Sequence, residues 1–210
     1  MSRQKFRLAS VVFLFLGAAG GAGNVAAVEN DYYLGIGAGT ATLDTDAASK
    51  DAEADLRGAG MTSPKVTFDQ QSTGYKVLGG YQAHKNFAVE IYYADLGAYN
   101  FTFSKTTPAG TGSGSTKVSA FGVDALGILP ITESLSALGR IGPYRRDSKG
   151  NFASVGASST LTSRLSTNIK YGVGLEWAAM TAVGLRFEYE YYDDPGQSIS
   201  MLSLGLVSHF

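Results

Sequence analysis

Apolar and polar residues alternate along most of this chain with a period of two. Eight such runs lie near Tyr32–Leu43, Thr67–Tyr81, Asn86–Leu96, Thr116–Leu129, Ser134–Arg146, Thr167–Trp177, Thr181–Tyr192 and Ser198–Phe210. Successive side chains of a strand point to opposite faces, so each run predicts a strand with one apolar and one polar face. The seventh run is the clearest. Val183, Leu185, Phe187, Tyr189 and Tyr191 share one face, and Gly184, Arg186, Glu188, Glu190 and Tyr192 share the other. The sixth sets Ile169, Tyr171, Val173, Leu175 and Trp177 against Lys170, Gly172, Gly174 and Glu176.

The connections alternate in length. Short ones fall at Gln82–Lys85, Pro130–Glu133 and Ala178–Met180. Longer polar ones fall at Asp44–Val66, Gly97–Ser115 and Asp147–Ser166, with a shorter one at Asp193–Gln197. Tight turns at one end and long loops at the other are the asymmetry of an outer-membrane barrel. The expected fold is therefore all-β: an eight-stranded antiparallel up-and-down transmembrane β-barrel. A soluble carrier barrel shares the strand count but turns its apolar face inward. Three features favour the membrane form. Glycines concentrate on the polar face, where a narrow lumen needs small residues. Tyr32, Tyr81, Phe87, Trp177 and Phe210 lie at the short-turn end of the apolar face, and Tyr189 and Tyr191 lie toward the loops, which makes two aromatic girdles. The last strand ends on an aromatic residue.

Composition narrows the chemistry. Of 210 residues, 27 are glycine, 12 tyrosine and 11 phenylalanine, and none is cysteine. Disulfide, zinc-thiolate and iron–sulfur sites and a cysteine nucleophile are thereby excluded. A net charge of −1 does not suit a nucleic-acid binder. The N-terminus carries Arg3, Lys5 and Arg7, then an apolar run from Leu8 to about Gly20, then small residues through Ala27. This reads as a secretory signal peptide over residues 1–27, preceding a barrel over 28–210. Without Arg3, Lys5 and Arg7, the 17 basic residues fall to 14 against 18 acidic ones, a net charge of −4.

Strand parity places Lys76, Glu90, Asp124, Arg140, Lys170, Glu176, Arg186, Glu188 and Glu190 inside the barrel. Charges in so narrow an interior must pair or stay hydrated. A structural ion-pair plug is the favoured reading, with a narrow ion path gated by switching pairs as the sharper one. Other motifs carry less. Gly35, Gly37 and Gly39 lack dinucleotide-loop spacing and precede no helix pattern. Asp44, Asp46, Asp51, Glu53 and Asp55 read as a solvated acidic loop, because the calcium-loop glycine and terminal glutamate are missing. His84 and His209 both fall at the short-turn end, too far from the outer leaflet to serve a lipid-cleaving serine. No metal, cofactor or catalytic site is expected.

Several segments together resemble the transmembrane domain of the OmpA family. They are Leu78 to Gln82, Val89 to Gly97, Leu129 to Leu135, Gly174 to Ala178, Arg186 to Tyr191 and Met201 to Phe210, in order across nearly the whole chain. The resemblance implies a Gram-negative outer-membrane location, with lipids including lipopolysaccharide around the barrel. It also implies recognition of the C-terminal segment ending in Phe210 by the barrel-assembly machinery. It maps the family's gate carboxylates onto Glu90 and Glu176 and its arginine onto Arg186. Two departures stand out. The peptidoglycan-binding domain of full-length members is not expected here, and the family's lumen lysine on the fourth strand has only Asp124 and Ala125 nearby. The expected role is structural, with at most a low-conductance path. The alternatives are an adhesin acting through its long loops, with an unidentified ligand, and then a soluble carrier.

Overall fold

The computed structural model describes residues 31–58, 63–106, 109–154, 157–195 and 197–210. The expected signal peptide lies outside them. The elements in chain order are β1 (Asp31–Leu43), α1 (Thr45–Gly58), β2 (Lys65–Phe68), β3 (Gln71–His84), β4 (Phe87–Thr106), β5 (Ala109–Pro130), β6 (Leu135–Ser154), β7 (Ala157–Met180), β8 (Val183–Tyr192) and β9 (Ile199–His209). All pairings are antiparallel. Eight strands close a ring in which β3, β4, β5, β6, β7, β8 and β9 follow β1, and β9 returns to β1 from Tyr33↔His209 to Leu43↔Ile199. Among the described residues β2 stands outside the ring and pairs only with the upper part of β4, from Lys65↔Ser104 to Phe68↔Phe101.

The two faces are sorted as a lipid-immersed barrel requires. Leu34, Ile36, Val77, Ile91, Ile141, Val173 and Leu204 are exposed on the outside, while Lys76, Glu90, Lys170, Arg186 and Glu190 are buried within. A soluble carrier barrel would show the inverse. A closed ring also leaves no unpaired backbone edge at membrane depth.

The segments expected as long loops are largely structured. The ladder between β4 and β5 runs on to Thr106↔Ala109, and that between β6 and β7 to Ser154↔Ala157. These strands have 20 to 24 residues, although about 9–11 suffice to cross a bilayer. Together with β2 they form a sheet standing above the barrel. Outside lipid both faces of a sheet are wet, so alternation ceases to mark the strand. The supposed acidic loop is instead α1. Ala48 N–H donates to the Asp44 carbonyl at 3.1 Å, and Asp44 N–H is tied to Ser198 O at 2.9 Å. Ala47, Ala48, Ala52 and Ala54 favour the helix, and Glu53 accepts from Val66 N–H at 3.2 Å, which docks it on β2.

β4 leaves β3 at a bulge. The register of β4 with β5 shifts between Asp95 and Gly97, where Gly97 adopts φ 88°. That conformation suits glycine, and a Cβ there would lie 2.1 Å from Ser72 Oγ. Gly97 N–H donates to Asp95 Oδ1 and Ala98 N–H to Ser72 Oγ, both at 3.0 Å.

Candidate functional site

Among the described residues the middle of the lumen holds a connected set of charges, and alternation on six strands delivers nine of its members. Lys76 comes from β3, Glu90 from β4, Asp124 from β5, Arg140 from β6, Lys170 and Glu176 from β7, and Arg186, Glu188 and Glu190 from β8. All are buried except Glu176, which stays partly open to the short-turn mouth.

The chain of contacts starts at that mouth. His209 Nδ1 lies 2.9 Å from Asp31 Oδ2, and its Nε2 lies 3.4 Å from Glu176 Oε1. Glu176 Oε2 accepts from Arg186 Nε at 2.8 Å and Nη2 at 2.6 Å, its directly opposite neighbour in the β7–β8 ladder. Arg186 Nη1 reaches across to Glu90 Oε1 at 2.5 Å, where the Tyr33 hydroxyl also donates at 2.8 Å. Tyr33 needs room to do this. Gly80 supplies it, because a Cβ there would lie 2.1 Å from the Tyr33 ring.

Arg140 is the hub. Its Nη1 donates to Glu90 Oε2 at 3.0 Å and Glu190 Oε1 at 3.3 Å, and its Nη2 bonds Glu188. Lys76 bonds Glu188 and donates to Glu190 Oε2 at 2.9 Å. Lys170 Nζ lies 2.6 Å from Glu190 Oε1 and 2.7 Å from Asp124 Oδ2. It also sits 3.5 Å above the Tyr92 ring, a cation–π contact. Lumen lysines thus come from β3 and β7, while Asp124 occupies the strand that carries a lysine in the resembled family.

Sequence parity on the chosen charges did not single out the aromatic and outer layers of the lumen. Tyr92, Tyr144 and Tyr192 stack edge-on above the charges, with Tyr144 and Tyr192 at 5.3 Å. Above them Arg146 ties β6 to the β8–β9 connection. It donates to Ser148 Oγ, Asp194 Oδ2 and the Gln197 carbonyl, each at 2.8 Å, and to Gln197 Oε1 at 2.9 Å. Its inward parity, two residues beyond Tyr144 and six beyond Arg140, is the available signal.

Two cavities flank the charge cluster. One of about 430 Å³ opens at the short-turn end, lined by Tyr33, Gln82, Lys85, Glu176, Arg186 and His209 among others. One of about 420 Å³ opens at the other end, lined by Leu43, Phe68, Tyr99, Arg146, Asp194 and Gln197 among others. Lys76, Glu90, Asp124, Arg140, Lys170, Glu188 and Glu190 line neither, because they fill the barrel between them.

The aromatic residues expected in the two girdles lie on the outer face. Tyr32 and Tyr81 stack at 4.9 Å near the short turns, with Phe87 and Trp177 exposed at the same end. Tyr189 is exposed toward the other end, and Tyr191 packs against Tyr171 at 5.3 Å. Tyr75, Tyr93 and Phe121 extend that upper row. Phe210 is exposed, and its N–H donates to Tyr32 O at 2.9 Å. His84 and His209 both sit at the short-turn end, as the ends of β3 and β9.

A family model, that of the OmpA-like transmembrane domain, matches residues 27–210. The chain belongs to this family. Outer membrane protein A of Klebsiella pneumoniae is 30% identical over 154 residues, which is 68% of this chain and 42% of that protein. The chain thus spans less than half the length of that relative. Among solved structures, Ail, the attachment invasion locus protein of Yersinia pestis, in complex with the heparin analogue sucrose octasulfate, aligns with a TM-score of 0.55 at 18% identity. The alignment covers 87% of this chain and 100% of Ail. The outer membrane protein OprG of Pseudomonas aeruginosa aligns with a TM-score of 0.55 at 13% identity, over 87% and 97%. These two show a shared fold. As an OmpA-like transmembrane domain, the chain is an outer-membrane β-barrel.

Proposed function

We propose that this barrel is a non-catalytic structural element of the outer membrane whose lumen is sealed by its own charges. The observation that carries this reading is the separation of the two cavities by seven buried charged side chains. A solute crossing the barrel would have to displace ion pairs drawn from β3 to β8. Removing one partner of a buried pair leaves an uncompensated charge, which costs roughly 3–5 kcal/mol. The arrangement therefore favours a plug over an open pore, with ion leakage only through rare rearrangement of pairs such as Arg186–Glu176 and Arg186–Glu90.

The test is transport. Liposomes carrying the protein should not swell in monosaccharide solutions, and planar bilayers should show at most rare, small conductance steps. Swelling at the rate of a general porin would overturn the plug. A second reading is supported by the sheet of β2 and β4 to β7 above the barrel. It offers a surface for attachment to another cell or molecule, and the likeness of fold to an attachment protein is consistent with that use.

A further inference from the structure

On the outer face of β5 and β6 the apolar belt gives way to a compact group of charges. The row Tyr93, Phe121, Arg145 and Thr167 is laterally paired across β4 to β7. The Leu135↔Trp177 row lies ten residues below along β6. Ten residues of a strand tilted as in such barrels rise about 25 Å, the height of the lipid-facing band. Trp177 thus marks the lower edge of the band and Arg145 the upper edge. Arg145 is exposed, stands beside the exposed Phe121, and makes no ion pair among the described residues.

Directly above it, Lys117 and Lys149 face each other across the β5–β6 ladder. Like charges at opposed positions destabilise a sheet. Lys117 has Asp95 at 2.9 Å and Lys149 has Asp147 at 3.3 Å, but both lysine side chains remain 62% and 72% exposed. Three cations against two carboxylates leave the patch net positive. Arg145 to Lys149 spans four residues, about 13 Å along the strand. The patch is continuous with the lipid-facing belt, and it lies where lipid headgroups begin.

We infer that Arg145, Lys117 and Lys149 form a docking site for the phosphorylated sugar headgroup of an outer-leaflet glycolipid. Arg145 would take one phosphate at the edge of the acyl region, and the two lysines a second one higher up, which removes their mutual repulsion. A planar guanidinium suits bidentate phosphate contact. The inference rests on outer-membrane placement with the long hairpins outward.

The protein is reconstituted in phosphatidylcholine nanodiscs doped with bis-phosphorylated lipid A, with its dephosphorylated form, or with phosphatidylglycerol. Lipid retained after transfer to mild detergent is counted by native mass spectrometry. Wild type should retain the phosphorylated glycolipid preferentially. The triple variant Arg145→Gln, Lys117→Gln and Lys149→Gln should lose retention at least about tenfold, since each basic residue near an anionic surface contributes on the order of 1 kcal/mol. Arg145→Gln alone should lose part of it, and Lys85→Gln at the short-turn end should lose none. Equal retention of both lipid A forms, equal retention of phosphatidylglycerol, or a triple variant that binds like wild type would overturn the site. The mobility shift of unboiled protein on a gel reads barrel formation, and recovery in the outer-membrane fraction of cells reads membrane placement, so failure of either is distinguishable from failure of the site.

Discussion

Arg186 holds two carboxylates from different walls of the lumen, Glu176 from β7 and Glu90 from β4. Arg186→Ala would leave both crowded near Tyr33 without their main cation. Loss of stability should approach 3–5 kcal/mol, reduced by water from the short-turn cavity, as roughly gauged for buried pairs. Adding Glu176→Ala should recover part of the loss, because the pair is in direct contact. Urea unfolding from micelles measures both, and strictly additive effects would show that Glu176 is not the energetic partner. The sequence made this pair accessible. Counting outward from the Ala178–Met180 turn brings Glu176 opposite Gly184 or Arg186, and the ladder selects Arg186. The cross-lumen contacts of Arg140 and Lys76 could not be counted in this way. They depend on the stagger of strands around the ring, which alternation does not encode.

Among the elements, the membrane-crossing strands were legible because lipid on one side and lumen on the other impose a strict period of two. The upper halves of β4 to β7 were not, since Gly110 to Thr116 and Ala157 to Thr160 are small and polar on both faces. α1 was missed for a different reason. Its acidic residues drew attention as possible ligands, while its alanines and its start after Asp44 were the helical signal. The bulge at Gly97 is what directs β4 from β3 toward β2. Gly97→Ala would force a Cβ into a left-handed position and against Ser72, at a cost of about 1–2 kcal/mol. The expected outcome is a lower urea midpoint with β2 and α1 loosened, read as faster amide exchange at Val66 than at Val77. Unchanged exchange at Val66 would separate the bulge from the placement of the upper sheet.

At the scale of the whole molecule, the barrel and the sheet above it should be separable. Shortening the β4–β5 and β6–β7 hairpins above Tyr99 and Ser148 leaves the ring and its ion cluster intact. The shortened protein should still run differently before and after boiling, while any attachment to host cells carried by the sheet should disappear. Loss of the gel shift on shortening would mean that the outer sheet is needed for closure. The closure itself has a kinetic consequence. Of the eight neighbour contacts within the described ring, seven join strands that succeed one another along the chain, with α1 and β2 between β1 and β3, and β1 with β9 joins distant parts of the chain. Until that seam zips, the sheet is a trough whose concave side carries Lys76, Glu90, Arg140 and their partners. Such a trough cannot sink into hydrocarbon, because each bare charge would meet acyl chains at a cost of several kcal/mol. The charges that seal the finished barrel therefore also set a cost on inserting any chain whose ends have not yet met.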